Sequence, residues 1–321
     1  MRAIVVSQNG GPEVLTPTEV PDPEPGPSDL VVATEAIGVN FIDTYIRTGT
    51  YAHDLPYIPG DEGTGVVTAV GADVTEFRVG DRVAWAAGPG SYAEKVVVPA
   101  AVAVDVPDGV APEQAASALL QGMTAHYLIE SAYPARAGET VLVHAGAGGV
   151  GLLLTQMAAA KGVKVISTVS TDEKEALSRE AGAWRVLRYG DGLAEKVREL
   201  TGGEGVAAVY DGVGKDTFDA SLDSLRIRGT LVLFGAASGP VPPFDLQRLN
   251  AGGSLYVTRP TLAHFVRDRE ELTWRAGAVL DAIAAGTLKL RVGGSYPLDA
   301  AEQAHRDLEG RKTTGSIVLI P

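Results

Sequence analysis

The chain has 321 residues, 45% of them hydrophobic, with 39 glycines and no cysteine. With 40 Asp and Glu against 27 Lys and Arg, its formal net charge is −13, which disfavours nucleic acid as a partner because phosphate contacts need clustered cations. The missing cysteines exclude disulfides, thiolate metal sites and cysteine nucleophiles, and no apolar run is long enough to span a membrane.

The length suits two domains. The first ten residues hold no long apolar segment of a secretory signal, so a cytoplasmic location is the expectation. From residue 1 to about 107, short strand-like runs at 3–6, 30–34, 65–70 and 82–85 are punctuated by Gly and Pro. Residues 21–27 carry four prolines and read as an extended loop, since proline fixes φ and lacks a donor. These runs predict a mainly β domain. A helix follows over about 112–131, with Pro112 suited to its first turn.

The pattern then changes to strands alternating with helices. The expected strands are 140–144, 164–169, 185–187, 206–211, 229–234 and 254–257. Continuous apolar strands between helices imply a parallel sheet covered on both faces, and six of them suit a doubly wound dinucleotide-binding fold. In the tail, Leu272, Val279, Leu280 and Ile283 share one helix face. A second helix is expected from Asp299, with Glu302 completing a capping box, and 316–320 reads as a last strand. The tail is short for a domain of its own and is expected to pack back onto the N-terminal one.

The strand at 140–144 leads into Gly146-Ala147-Gly148-Gly149-Val150-Gly151 and then an apolar helix. A G-x-G-x-x-G string alone is a weak signal, but here the required strand precedes it and a helix follows. Its glycines let backbone N–H groups approach a pyrophosphate, and the helix start favours the anion. An NAD site usually places an acidic residue at the end of the second strand. This strand ends instead as Thr168-Val169-Ser170-Thr171, with Lys174 beyond. Hydroxyls and an ammonium suit the 2′-phosphate of NADPH. The same residues also read as a capping box of Ser170 with Glu173 and a solvated lysine, and Asp172 and Glu173 would weaken phosphate binding.

The segment Pro59-Gly60-Asp61-Glu62-Gly63-Thr64-Gly65 is similar to the zinc-binding Gly-His-Glu segment of medium-chain alcohol dehydrogenases, with Asp61 in place of the ligand histidine. The histidines at 53, 126, 144, 264 and 305 show no close ligand spacing, so no metal site is expected. Hydride delivery to a simple ketone builds an alkoxide that zinc would stabilise. Without zinc, the acceptor itself should spread the charge, as a quinone, enone or enoyl thioester does.

Several stretches carry a family resemblance: Gly10-Gly11-Pro12-Glu13-Val14-Leu15, Gly38-Val39-Asn40-Phe41-Ile42-Asp43-Thr44-Tyr45-Ile46-Arg47, the glycine loop, Ala181-Gly182-Ala183-Trp184, Val209-Tyr210-Asp211 and Gly253-Ser254-Leu255-Tyr256-Val257-Thr258-Arg259-Pro260. Over nearly its full length the chain resembles the zinc-free quinone oxidoreductase (zeta-crystallin-like) branch of the medium-chain dehydrogenase/reductase superfamily, and especially its bacterial NADPH:quinone oxidoreductases.

The resemblance implies an α/β protein: a GroES-like, β-rich catalytic domain over 1–122, a Rossmann domain over 123–258, and a return to the first over 259–321. It implies NADPH as cofactor, a quinone or other conjugated carbonyl compound as partner, and a homodimer. Asn40 and Tyr45 are then the catalytic candidates, lining a cleft near the nicotinamide. Phe41, Asp43, Tyr127, Gly146, Gly148, Gly149, Val150, Gly151, Ser170, Lys174, Tyr189, Gly212, Phe234, Ala237, Pro260, Leu262 and Arg311 are the cofactor-binding candidates. Gly146 and Gly212 depart from relatives, which often carry Ala and Ser there. Taken without the resemblance, Tyr45 also reads as a core aromatic and Asn40 as a turn residue. The alternative enzyme is an alkenal, enone or enoyl-thioester reductase, for which Arg267 and Arg269 are the cations on offer. A non-catalytic structural or RNA-binding role is a further alternative, which the net charge disfavours for RNA.

Overall fold

Val, Ile and Ala crowd the first third of the chain, and in the computed structural model, which describes residues 1–321, they form strands. These are β1 (Arg2–Val5), β2 (Thr16–Glu19) and β3 (Asp29–Val39), then, after helix α1 (Phe41–Arg47), β4 (Gly63–Val70), β5 (Arg82–Trp85), β6 (Lys95–Pro99) and β7 (Val104–Asp105). Helix α2 (Pro112–Tyr127) follows, and its end widens into a π turn at Leu128–Ala132. The strands α2 leads to alternate with helices: β8 (Thr140–Val143), α3 (Gly149–Ala160), β9 (Lys164–Val169), α4 (Asp172–Glu180), β10 (Arg185–Arg188), α5 (Leu193–Leu200), β11 (Val206–Asp211), α6 (Phe218–Asp223), β12 (Leu225–Leu233), α7 (Gln247–Ala251) and β13 (Tyr256–Thr258). The tail holds α8 (Arg269–Ala284), β14 (Val292–Pro297), α9 (Ala301–Glu309) and β15 (Ser316–Ile320).

Two units result. The first comprises Met1–Met123 and Val266–Pro321. Its main sheet runs β14-β15-β3-β4-β5-β7, with β6 also on β3. The tail returns to it through β15, which pairs antiparallel with β3, Ile317 opposite Val39. Strand β3 is longer than the sequence pattern predicts. It meets β4, β6 and β15, so its second half is buried at successive positions and shows no alternation. Its core includes Leu30, Val32, Val67, Val83, Trp85 and Val98, all essentially inaccessible. In α8, Leu272, Val279, Leu280 and Ile283 are buried as expected. The capping box at Asp299 and Glu302 does not form. A 3-10 turn at Leu298–Ala300 precedes α9, and the two carboxylates pair with Arg2 and Arg306 instead.

The second unit is Thr124–Phe265, so residues 259–265 stay with it. Its six strands are all parallel, in the order β10-β9-β8-β11-β12-β13. This is the doubly wound sheet, with its order reversing beside β8. Leu142, Ile166, Val209 and Leu231 fill its core against Phe218 and Leu222 of α6. Two strand starts differ from expectation. Strand β12 begins earlier, at Leu225, where Arg226 and Arg228 interrupt the apolar pattern, and β13 begins at Tyr256 because Ser254 is left-handed, with φ 56°.

Candidate active site

The glycine loop is shaped by close backbone approach. Past β8, Ala145 adopts φ 52° and Gly146 N–H donates to Thr168 O at 3.0 Å. A Cβ on Gly146 would lie 1.7 Å from Ser167 Oγ, so Ala fits only if that hydroxyl rotates away from Ser178, 2.7 Å distant. A Cβ on Gly151 would lie 2.3 Å from Ala145 O and 2.8 Å from Gly146 Cα, where nothing soft can yield. Gly148 is the N-cap of α3 and brings no side chain to cap it. Gly148 N–H is held by Ala145 O at 2.9 Å, so Gly149 and Val150 present backbone N–H groups at the positive end of a helix, the shape and charge that a pyrophosphate needs.

At the end of β9, Ser170 is exposed and Lys174 half-buried. The expected capping box of Ser170 with Glu173 does not form. Thr171 caps α4, its Oγ1 accepting from Lys174 N–H at 3.2 Å, and the Ser170 hydroxyl is left to the strand end. Sequence reading passed over Arg188, the last residue of β10. Its guanidinium pairs with Asp172 and with Glu175 at 2.8 Å, offsetting the acidic residues beside the expected phosphate position. Tyr189, next along, accepts Ala145 N–H at 2.7 Å, and its ring is stacked with His144 at 6.0 Å. Tyr189 thus reaches the glycine loop itself.

Gly212, Phe234 and Ala237 form one corner. A Cβ on Gly212 would lie 2.8 Å from the Phe234 ring, and Ala237 N–H donates to Gly212 O at 3.2 Å. The ring explains glycine at 212, since a serine there would have to displace it. Tyr127 is buried, with its ring stacked flat on Phe265 at 4.4 Å. Pro260 is buried just after β13, and Leu262 opens a 3-10 turn. Arg311 lies exposed in the first unit, after α9.

In the first unit, Asn40 stands at the N-terminus of α1. Its backbone N–H donates to Asp43 Oδ2 at 2.8 Å, and Tyr92 Oη donates to the same oxygen at 2.8 Å. The direction of this chain follows from Arg47, which can only donate. Arg47 Nη1 donates to His305 Nδ1 at 2.9 Å, so the neutral ring carries its proton on Nε2 and donates to Tyr92 Oη, also at 2.9 Å. Burial, helped by Arg47, pushes His305 down to about 3, which keeps it neutral. Asp43 is therefore an interior residue that fixes the helix start. Its Oδ2 is taken by two protein donors and its side chain is buried, which favours a structural role over the expected cofactor contact. Burial, with the Asp61 carboxylate adding to it, pushes Asp43 up to about 7.

The Asn40 side chain is 5% exposed and held from two sides. Its Nδ2 donates to Glu62 Oε2 at 2.8 Å, and its Oδ1 accepts from Gln121 Nε2 at 3.0 Å. Leu120 N–H donates to the other Glu62 oxygen at 2.7 Å, and the Ser316 hydroxyl to Gln121 Oε1 at 2.6 Å. Burial pushes Glu62 up to about 8 against these donors. Phe41, Tyr45 and Tyr51 make an aromatic row, with centroids 6.4 Å and 5.5 Å apart, and Tyr51 N–H donates to Tyr45 O at 3.0 Å. Tyr51 was not among the sequence candidates; its signal was an aromatic six residues beyond Tyr45. Asp61 is half-buried, its pKa raised by burial and opposed by nearby His53. No group of three or more His, Asp or Glu side chains is placed to hold a metal ion.

Residues 26–108 match the alcohol dehydrogenase GroES-like domain, and residues 149–278 match the family described as zinc-binding dehydrogenase. The chain is 48% identical to the quinone oxidoreductase of Pseudomonas aeruginosa over 97% of each chain. It belongs to the quinone oxidoreductase branch of the medium-chain dehydrogenases and reductases. Among solved structures of this branch, the Escherichia coli quinone oxidoreductase complexed with NADPH covers 100% of both chains at 43% identity, with a TM-score of 0.98. A mycobacterial protein complexed with NADPH covers 100% of both at 58% identity, also with a TM-score of 0.98.

Proposed function

We propose that this chain reduces quinones with NADPH and does so without a metal ion. The reading is carried by the glycine loop at 146–151, closed to side chains and opening on an uncapped helix, in a chain of the quinone oxidoreductase branch. NADPH, when bound, supplies the hydride. The N–H groups of Gly149 and Val150 receive its pyrophosphate. Ser170, Lys174 and Tyr189 surround the 2′-phosphate, while Gly212, Phe234 and Ala237 continue along the cofactor, with Tyr127, Pro260 and Leu262 beyond.

Phe41, Tyr45 and Tyr51 offer flat apolar contact to a planar acceptor, and the two phenols offer it hydroxyl donors. Asn40 has two amide hydrogens, of which one goes to Glu62, leaving the other for an outside acceptor. These donors are neutral. They can orient a carbonyl oxygen but are poorly suited to a localised alkoxide, which needs a strong electrophile. A quinone delocalises the charge in its own ring. Asp61 with His53, and no thiolate, is a poor ligand set for zinc. The same reading extends to a cytoplasmic homodimer.

The test is NADPH oxidation by EDTA-treated protein with 1,4-benzoquinone, a 2-enal and cyclohexanone at matched concentrations, beside elemental analysis. We expect rapid turnover of the quinone, almost none of the saturated ketone, and no stoichiometric zinc. A 2-enal turned over much faster than every quinone would make this an enone reductase. Cyclohexanone competing with both would defeat the charge argument, and one zinc per chain would defeat the metal-free reading.

A further inference from the structure

Beneath the glycine loop lies a chain of buried polar side chains that the reaction as described does not use. Asp211, at the end of β11, accepts from four donors. Val213 N–H lies at 2.8 Å and Gly214 N–H at 3.0 Å from Oδ1, while the hydroxyls of Thr217 and Ser221 reach Oδ2 at 2.7 and 2.8 Å. Ser221 Oγ lies 3.0 Å from His144 Nε2, and His144 Nδ1 lies 2.8 Å from Thr168 Oγ1. His144, Thr168, Asp211 and Ser221 are all essentially inaccessible.

The polarity of this chain is determined. Ser221 has one hydroxyl hydrogen and gives it to the carboxylate, so its oxygen accepts from His144 Nε2–H. Neutral imidazole then has Nδ1 free to accept from Thr168. Burial lowers the basicity of His144, in keeping with that tautomer. The donors run one way, from Thr168 through His144 and Ser221 to Asp211.

Both ends of the chain close on backbone. Thr168 O accepts Gly146 N–H at 3.0 Å, and His144 leads directly into the loop. At the other end, the Asp211 carboxylate folds the Gly212 to Gly214 turn around itself. The chain thus crosses the carboxyl ends of β9, β8 and β11, the edge where open α/β sheets bind ligands. A buried polar chain carries a desolvation cost that an apolar core would avoid, so a chain in this place calls for a function in the site.

We propose that Thr168, His144, Ser221 and Asp211 are positioning residues that set NADPH affinity by holding the glycine loop and the Gly212 to Gly214 turn in a single register. This rests on the cofactor reading above. Removing a hydroxyl from the chain leaves each loop its own backbone bonds, and His144 N–H on Tyr210 O, but cuts the side-chain link between the two.

The experiment uses Thr168→Val, which keeps shape and removes only the hydroxyl, Thr168→Ser, which restores it, Ser221→Ala, and the Thr168→Val/Ser221→Ala double variant. NADPH dissociation constants are measured by nicotinamide fluorescence, kcat at saturating NADPH, and melting temperature without cofactor. Thr168→Val and Ser221→Ala should each weaken NADPH binding about tenfold, the scale of one lost buried hydrogen bond. Saturated kcat should stay within about twofold of wild type, since the chain touches no reacting atom. Thr168→Ser should bind like wild type. The double variant should be no weaker than the worse single one, because both cuts break the same chain. Lower melting temperatures with unchanged NADPH affinity would overturn the inference, as would additive losses in the double variant. A wild-type protein that takes up no NADPH would overturn the cofactor reading itself.

Discussion

Lys174 sits half-buried in the first turn of α4, with its N–H on the Thr171 cap. Arg188 holds Asp172 and Glu175, so these two carboxylates do not compete fully for the ammonium. Lys174→Glu should therefore raise the KM for NADPH about tenfold or more relative to NADH, the scale of a lost charge-assisted contact. An unchanged ratio in steady-state kinetics would leave Lys174 a helix surface residue. Tyr45→Phe should lower kcat only modestly if its hydroxyl merely orients the acceptor, while a loss of about 10²-fold would mark a general acid. The glycine loop was legible in the sequence because its requirement is steric and local. The partners of Asn40 were not: Glu62 and Gln121, and Ser316 behind Gln121, are remote in sequence and meet through sheet pairing and α2. The hold of Asp43 on the helix start was hidden for the same reason, since Tyr92, itself bonded to His305, reaches it from a distant segment.

Helix α1 is short, and its position depends on buried groups at its start. Glu62 and Asp43 both have pKa values raised by burial, from 4.5 to about 8 and from 3.8 to about 7. Each folded carboxyl holds its proton to higher pH than the unfolded chain does. Their stabilising contribution is therefore complete below pH 4 and is lost as pH climbs through 7 and 8. Asp61, also raised by burial and lying near His53, faces the same region and belongs to the same titration. Urea midpoints of the wild type should fall across this window, and Glu62→Gln should flatten the fall while keeping the shape and a hydrogen bond to Asn40. A Glu62→Gln variant with the wild-type slope would show that Glu62 is ionised throughout. The elements of the parallel sheet were read more closely than their caps. Strands β9 and β11 span the expected 164–169 and 206–211, whereas Thr171 supplanted Ser170 as a cap through a one-residue difference that the sequence pattern does not resolve.

At the scale of the whole molecule, the six-stranded sheet leaves one apolar edge open. Strand β13 pairs with β12 on one side and is last in the order, so its other side has unpaired backbone groups. Such an edge invites pairing, and a twofold axis would bring it against its own copy. The side chains beside it fit that reading: Tyr256 is 60% and Ile227 is 74% exposed. Leu255, by contrast, is buried in the core of the second unit, so replacing it would test folding rather than assembly. Ile227→Asp and Tyr256→Asp are the suitable probes. Neither position contributes to the core, and across a twofold axis each would set a carboxylate near its symmetry mate, where like charges repel and apolar area is lost together. Light scattering should give the mass of two chains for the wild type and of one for Tyr256→Asp, with the melting temperature of each second unit little changed if the edge serves assembly alone. NADPH should still bind the monomeric variant, because the glycine loop lies at β8, separated from β13 by β11 and β12, and the substitution leaves Pro260 and Leu262 in place. A wild-type monomer would sink the homodimer reading, and a dimer that survives both aspartates would place its interface elsewhere on the chain.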